Sequence, residues 1–196
     1  LGTMGILRGA AKGLANEQKI DCDTQGLESW MSALSPDRAW QLVPPGVWLA
    51  IADALLAGGV LRYAIFGRHL VAVGSNAETA RLCGISIPRT TILAYALAGL
   101  AAGLAGTMEL ATLTVGNPTD SIGLELAVIA AVVIGGGSLS GGQGSVLGSV
   151  LGALLMTTIR TGCTHVGVPN WVQEILTGVI IVVAVTLDHV RQRGRR

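Results

Sequence analysis

Long apolar stretches alternate with short polar ones along this chain. Mostly apolar runs cover roughly 47–65, 92–115 and 171–187, each near the ~20 residues that a helix needs to cross a bilayer. Two further runs, 124–137 and 145–160, are interrupted by glycine, and the first is short for a full crossing. Between 66 and 88 the pattern breaks into a basic polar insert, which reads as a short helix held against a membrane face. The opening residues Leu1 to Ala10 read as the end of a helix already under way, without a charged leader or a cleavage site. The chain is therefore expected to lack its natural N-terminus.

Composition turns these runs into membrane spans. Hydrophobic residues make up 51% of the chain and charged ones 13%, about half the charge of a soluble domain. Net charge is +1, so position along the chain carries the signal. Arg62, Arg68, Arg81 and Arg89 crowd around the insert against Glu78 alone, and Arg191, Arg193, Arg195 and Arg196 close the tail. The positive-inside rule puts both on the cytoplasmic side. The connection from about 16 to 45 carries Glu17, Asp21, Asp23, Glu28 and Asp37 against Lys19 and Arg38, with Trp30 and Trp40, and is expected to face outward. Two cytoplasmic ends require an even number of crossings between them, and the four later segments satisfy that count.

The insert has definite local chemistry. Ser75-Asn76-Ala77-Glu78 matches a capping box, in which hydroxyl and carboxylate satisfy backbone amides at a helix start. Gly84 suits the left-handed residue that ends a helix, and Pro88 suits the first turn of the next span. A helix of about two turns is unstable alone in water, so something must pack against it: a soluble partner or, on the blander reading, lipid headgroups. As a helix-interior change, Glu78→Pro is expected to cost roughly 3 kcal/mol.

Glycine is twice as frequent as usual, 28 of 196 residues against about 7%. Gly99, Gly103 and Gly106 recur along one span, and Gly144, Gly148 and Gly152 along another at strict intervals of four. Small residues at that spacing let helix backbones approach closely, which points to packing within a subunit or across a dimer, with a substrate path as the lesser reading. The run from Ile134 to Gly144 is too glycine-rich to continue a helix and is expected to turn tightly between two spans. It lacks the Lys and the preceding strand of a phosphate-binding loop.

Candidate chemistry is sparse. Asp53 and Arg160 fall near the outer ends of spans. Glu109 and Glu125 flank the turn Gly116-Asn117-Pro118-Thr119, where each lines a water-filled vestibule or enters a structural pairing, as with Arg8. His69, His165 and His189 are scattered without metal spacing, and Ser138, Ser140, Ser145 and Ser149 have no His or Lys base nearby in sequence. Cys22 and Cys163 fall on the outer side, where thiols can pair, and Cys83 inside. Nothing here suggests catalysis, a metal, a cofactor or nucleic-acid binding.

The ordered set Gly67-Arg68, Ala72-Val73-Gly74-Ser75-Asn76, Ala80-Arg81-Leu82, Gly84-Ile85, Gly99 to Gly106, Glu125-Leu126, Ile129 to Gly136 and Ser138 to Gly142 resembles the ribose-type permease subunits of bacterial ABC importers. The tail from Gly178 to Asp188 is similar too. The resemblance implies an all-α, polytopic transmembrane helical bundle, a single permease domain over 1–196, in the bacterial inner membrane with a cytoplasmic C-terminus. It implies a second permease subunit, an ABC ATPase that binds the ATP, and an extracytoplasmic sugar-binding protein. The loop of about 66–90 would hold the coupling helix, with Ser75, Asn76 and Glu78 holding it and Ala80, Arg81 and Gly84 meeting the ATPase. Glu109, Thr112, Asn117 and Glu125 are the candidates for the substrate pathway. Thr112, Ala127 and Gly137 depart from the polar residues often found at those places, so the substrate class is read as sugar or polyol rather than ribose itself. The rival is an ion-gradient-driven secondary transporter, whose broken helices would also use glycine and buried carboxylates; a scaffold without transport is a third reading.

Overall fold

A computed structural model describes residues 2–21, 44–119 and 121–193 of the chain. Most of the expected outer loop, with Cys22, Trp30 and Trp40, and the end of the basic tail at Arg195 and Arg196 lie outside them. Among the described residues the fold is all-α apart from one short ladder: α1 (Gly2–Leu14), β1 (Ile20–Asp21), α2 (Pro45–Tyr63), α3 (Ile65–Ser75), α4 (Ala77–Leu82), α5 (Ile87–Leu113), β2 (Val115–Gly116), α6 (Leu124–Ile134), α7 (Val146–His165) and α8 (Asn170–Arg193). The chain groups into two compact units, Leu1–Asp53 with Ala96–Ile122, and Ala54–Tyr95 with Gly123–Arg196, so that α2 and α5 contribute to both.

Every apolar run in the sequence became a helix. Of these, α2, α5 and α7 are long and apolar enough to cross a membrane, while α6 and the apolar part of α8, Asn170–Thr186, are shorter. The four expected crossings after the insert therefore correspond to two full-length and two shorter helices. α5 is apolar on all sides, as a helix surrounded by lipid or by protein should be. None of its most apolar window is buried within the chain.

In the first unit, α1 ends in a turn where Asn16 and Glu17 take positive φ. β1 then pairs antiparallel with β2, Ile20 opposite Gly116 and Asp21 opposite Val115. This ladder ties the segment after α1 to the end of α5, a link that no local pattern announced. The expected packing stripe on α5 is open: nothing lies within 4 Å of where a side chain would stand on Gly99, Gly103 or Gly106. Within this chain, the described residues do not fill that face.

The second unit holds the core. α6 buries Ala127, Ala130, Ala131 and Val133, small residues near the three- and four-residue spacing that keeps one helix face together. Ala130, Ala131 and Met156 of α7 form a buried cluster, with Ile134 and the α8 residues Ile180 and Ile181 packed on it. Of the second glycine set, Gly148 and Gly152 lie on α7 with backbone against them, whereas Gly144 precedes the Ser145 cap and belongs to the loop. A methyl group on Gly152 would overlap the backbone of Ala131, and one on Gly148 the carbonyl of Gly135; one on Gly144 would touch Gly137 Cα at 3.6 Å. α7 thus lies backbone to backbone on α6, the arrangement that small residues permit where lipid supplies no hydrophobic drive.

Candidate functional site

The polar insert is two helices. α2 stops at Tyr63, Ala64 takes an extended conformation, and α3 begins at Ile65 without a side-chain cap. Gly67 is buried where any side chain would overlap the carbonyl groups of Val60 and Leu61, so the two helices meet at a tight joint. Ile65, Arg68, Val71 and Ser75 are exposed while Phe66, His69, Leu70 and Val73 are half-buried, a helical period in the part of the insert that precedes the expected short helix.

The expected capping box is displaced by one residue. Ser75 ends α3, and its hydroxyl donates back to the Ala72 carbonyl at 3.0 Å. Asn76 instead serves both neighbours. Its N–H donates to the same carbonyl at 3.1 Å, while its Oδ1 accepts from the Thr79 N–H at 3.0 Å, so one residue closes α3 and opens α4. Glu78 falls in the first turn of α4, where a carboxylate favours the positive end of the helix dipole. First-turn amides have no acceptor within the helix, so the interior penalty expected for Glu78→Pro does not apply.

α4 ends as its glycine forecast. The Gly84 N–H donates to the Arg81 carbonyl and the Ile85 N–H to the Ala80 carbonyl, both at 3.0 Å. Gly84 itself sits at φ 81°. This double closure is the Schellman arrangement. α5 follows at once, with Pro88 in its first turn. Ala80, expected to meet a partner, is 4% exposed and turns into the protein, its amide donating to the Asn76 carbonyl at 3.0 Å. Arg81 is exposed as expected. Leu82, beside it, is 85% exposed, an uncovered apolar side chain that sequence reasoning missed; its signal was a lone leucine between Arg81 and the helix-ending glycine. Replacing Asn76 by Ala is expected to destabilise α4 by about 1 kcal/mol, whereas Ser75→Ala leaves it unchanged. Hydrogen exchange of the α4 amides would separate the two.

The glycine-rich run does turn tightly. α6 closes on Gly135 to Gly137, and the Ser138 N–H donates to the Gln143 carbonyl at 3.0 Å. Ser145 then caps α7, its Oγ accepting from the Gly148 N–H at 3.0 Å. Gly141 and Gly142 lie against Gly74 and Ser75 at the end of α3, so this loop rests on the joint that carries α4.

The pathway candidates divide between the units. Glu109 on α5 accepts the Ser121 hydroxyl with both carboxylate oxygens, at 2.8 and 3.0 Å. Asn117 Oδ1 accepts from the Thr119 N–H and hydroxyl at 3.1 and 2.7 Å, which fixes the turn after β2, and the Thr112 hydroxyl donates to the Met108 carbonyl at 2.8 Å. These three belong to the first unit, and Glu125, in the first turn of α6, to the second. Among the described cysteines, Cys83 and Cys163 are free thiols.

Helices of spanning length, apolar on surfaces that the chain leaves uncovered, define a multi-pass helical membrane protein. The chain belongs to the family described as the permease component of the branched-chain amino acid transport system, which matches residues 1–185. It is 33% identical to the L-arabinose transport system permease protein AraH of Escherichia coli over 196 residues, all of this chain and 58% of that protein. With the probable ABC transporter permease protein YphD of Escherichia coli it shares 39% over 185 residues, 94% of this chain and 54% of that one. The ribose import permease protein RbsC of Escherichia coli is 40% identical over 150 residues, 76% of this chain and 47% of that protein. The chain thus spans between about half and three-fifths of the length of these relatives. No solved structure matches it.

Proposed function

We propose that this chain forms part of the permease subunit of an ATP-driven importer for a sugar or polyol in a bacterial inner membrane. Substrate would cross by alternating access, driven by a separate ATPase that docks on α4. The observation that carries this reading is α4 itself: a six-residue helix, closed by a cap at one end and a glycine at the other, in the insert that separates α2 from α5, both long enough to span the membrane. Such a helix is too short to stand alone, and it exposes Glu78, Thr79, Arg81 and Leu82, a mixed surface with one apolar anchor of the kind that interfaces use.

The relatives support a sugar over an amino acid, since those named for a substrate carry arabinose or ribose; the family description alone names branched-chain amino acids. On this reading the insert and the C-terminus are cytoplasmic, a sugar-binding protein delivers substrate to the opposite face, and a second permease subunit completes the pathway. Glu109, Thr112, Asn117 and Glu125 are proposed to border that pathway on the outer side, and the open glycine face of α5 suits helix contacts with the second subunit. ATP is bound by the partner, and the permease needs no cofactor of its own.

The test is to tag the full-length protein in its native membrane, purify it in mild detergent, and identify what comes with it by mass spectrometry, alongside uptake of labelled pentoses. Recovery of an ABC ATPase, with uptake that stops when ATP is depleted and survives collapse of the ion gradients, is the expected result. Uptake that follows a proton or sodium gradient, with no ATPase recovered, would transfer the chain to the secondary transporters.

A further inference from the structure

Backbone meets backbone without intervening side chains along one path through the second unit. It begins at Ser75, the residue before the α4 cap. A Cβ on Gly142 would stand 2.7 Å from both the Cα and the Cβ of Ser75, one on Gly74 would stand 2.6 Å from the Gly142 nitrogen, and one on Gly141 would stand 2.6 Å from the Gly74 oxygen. Real Cβ atoms do not approach so closely, and Gly141 and Gly142 also hold φ values of 91° and 75°, so only glycine fits this joint. The loop beyond it is closed on itself. The Ser138 N–H donates to Gln143, the Gly141 N–H to Ser138 at 3.2 Å, and the Gly137 N–H to Val132 at 2.8 Å. From there the path continues through Gly135 against Gly148 and Ala131 against Gly152, ending at the buried Ala130 and Met156.

Side chains in a packed interface can absorb a displacement by changing rotamer; contacts between backbones have no such freedom, and close-packed interiors transmit strain. We propose that Gly74, Gly141 and Gly142 are positioning residues that clamp the α3–α4 joint to the α6–α7 pair, so that α4 and these membrane helices move as one body. The inference rests on the reading of α4 as the ATPase-docking helix. It assigns the glycine-rich loop to force transmission, a role distinct from contact with substrate or nucleotide. It also explains why the loop is rich in glycine where it meets Gly74 and Ser75, and not only where it turns.

The test uses the full-length permease assembled with its ATPase and binding protein in proteoliposomes. Gly74→Ala and Gly142→Ala are expected to recover the ATPase at the wild-type level and keep basal ATP hydrolysis, while uptake and substrate-stimulated hydrolysis fall at least tenfold. Gly162→Ala, at an exposed position with nothing within 4 Å, is the control. Uptake within twofold of wild type in both clamp variants would overturn the proposal. If the wild-type chain itself recovers no ATPase, the importer reading falls first and takes this inference with it.

A second measurement does not depend on how well the clamp variants fold. Ser75 and Gln143 are exposed on the two sides of the joint. In a background with Cys22, Cys83 and Cys163 replaced by Ser, Ser75→Cys and Gln143→Cys are bridged with a short bifunctional thiol reagent. A clamp that moves as one body bridges equally well with and without ATP, and the bridged transporter keeps its uptake. Bridging confined to one nucleotide state, or uptake arrested by the bridge, would show the joint opening during the cycle and overturn the proposal.

Discussion

Gly152→Leu is expected to be the most damaging single change to the stability of the membrane-embedded part of this chain. The α7 backbone at Gly152 lies on the α6 backbone at Ala131, so that even a methyl group would overlap it. Overpacking a tight site costs about 1–3 kcal/mol when side chains can shift, and here the obstacle is main chain. The helices must separate, and separation opens the cluster of Ala130, Ala131 and Met156. The melting temperature, followed by size-exclusion chromatography of heated detergent samples, is expected to fall by several degrees and the yield with it. Gly178→Leu on α8, where nothing lies within 4 Å, is expected to behave as wild type. Equal stability of the two variants would mean that α6 and α7 do not meet at Gly152.

The largest effect on coupling is expected at Ala80. A proline there removes the amide that donates to Asn76 and places a ring at a position that is 4% exposed. An interior proline costs about 3 kcal/mol, which lowers the population of intact α4 by roughly 100-fold. Uptake and substrate-stimulated ATP hydrolysis should both be lost. Ala77→Pro provides the contrast. It falls on the first helical residue, where proline is tolerated, and Asn76 before it is already extended at φ −157° and ψ 104°, as a residue preceding proline prefers. Near-normal uptake is therefore expected for Ala77→Pro, measured beside Ala80→Pro in the same vesicles. A similar loss in both would place the helix start elsewhere.

The spans were legible because each is an uninterrupted apolar run, and helix type follows from the need to satisfy backbone groups in lipid. Their limits shifted by a few residues: the apolar run at 92–115 became Ile87–Leu113, starting where Pro88 had pointed. α3 was missed for a different reason. Ala64 offers no cap, and Gly67 and Gly74 lower helix propensity, yet the first lets α3 press against the end of α2 and the second receives the loop at Gly142. That extra helix also explains the displaced cap. Ser75 and Asn76 are both good N-caps, and local sequence cannot choose between them until it is known that α3 runs through Ser75. The two glycine stripes make the same point about tertiary context. Their spacing is alike, but among the described residues only the glycines on α7 have a helix against them. Spacing states that a close approach is allowed, and it is silent on which neighbour makes it. The β1–β2 ladder and the Glu109–Ser121 contact join residues whose pairing depends on how α5 ends, and no periodicity encodes that.

The 11 residues of α6 make a rod only about 17 Å long, whereas the hydrocarbon layer is about 30 Å thick. One end leads into the loop that touches Ser75, beside the proposed cytoplasmic docking helix. The other end, at Gly123, then stops near half depth. On the proposed orientation, α6 alone therefore covers only about half of the hydrocarbon thickness, and the outer half of this crossing falls to other parts of the permease.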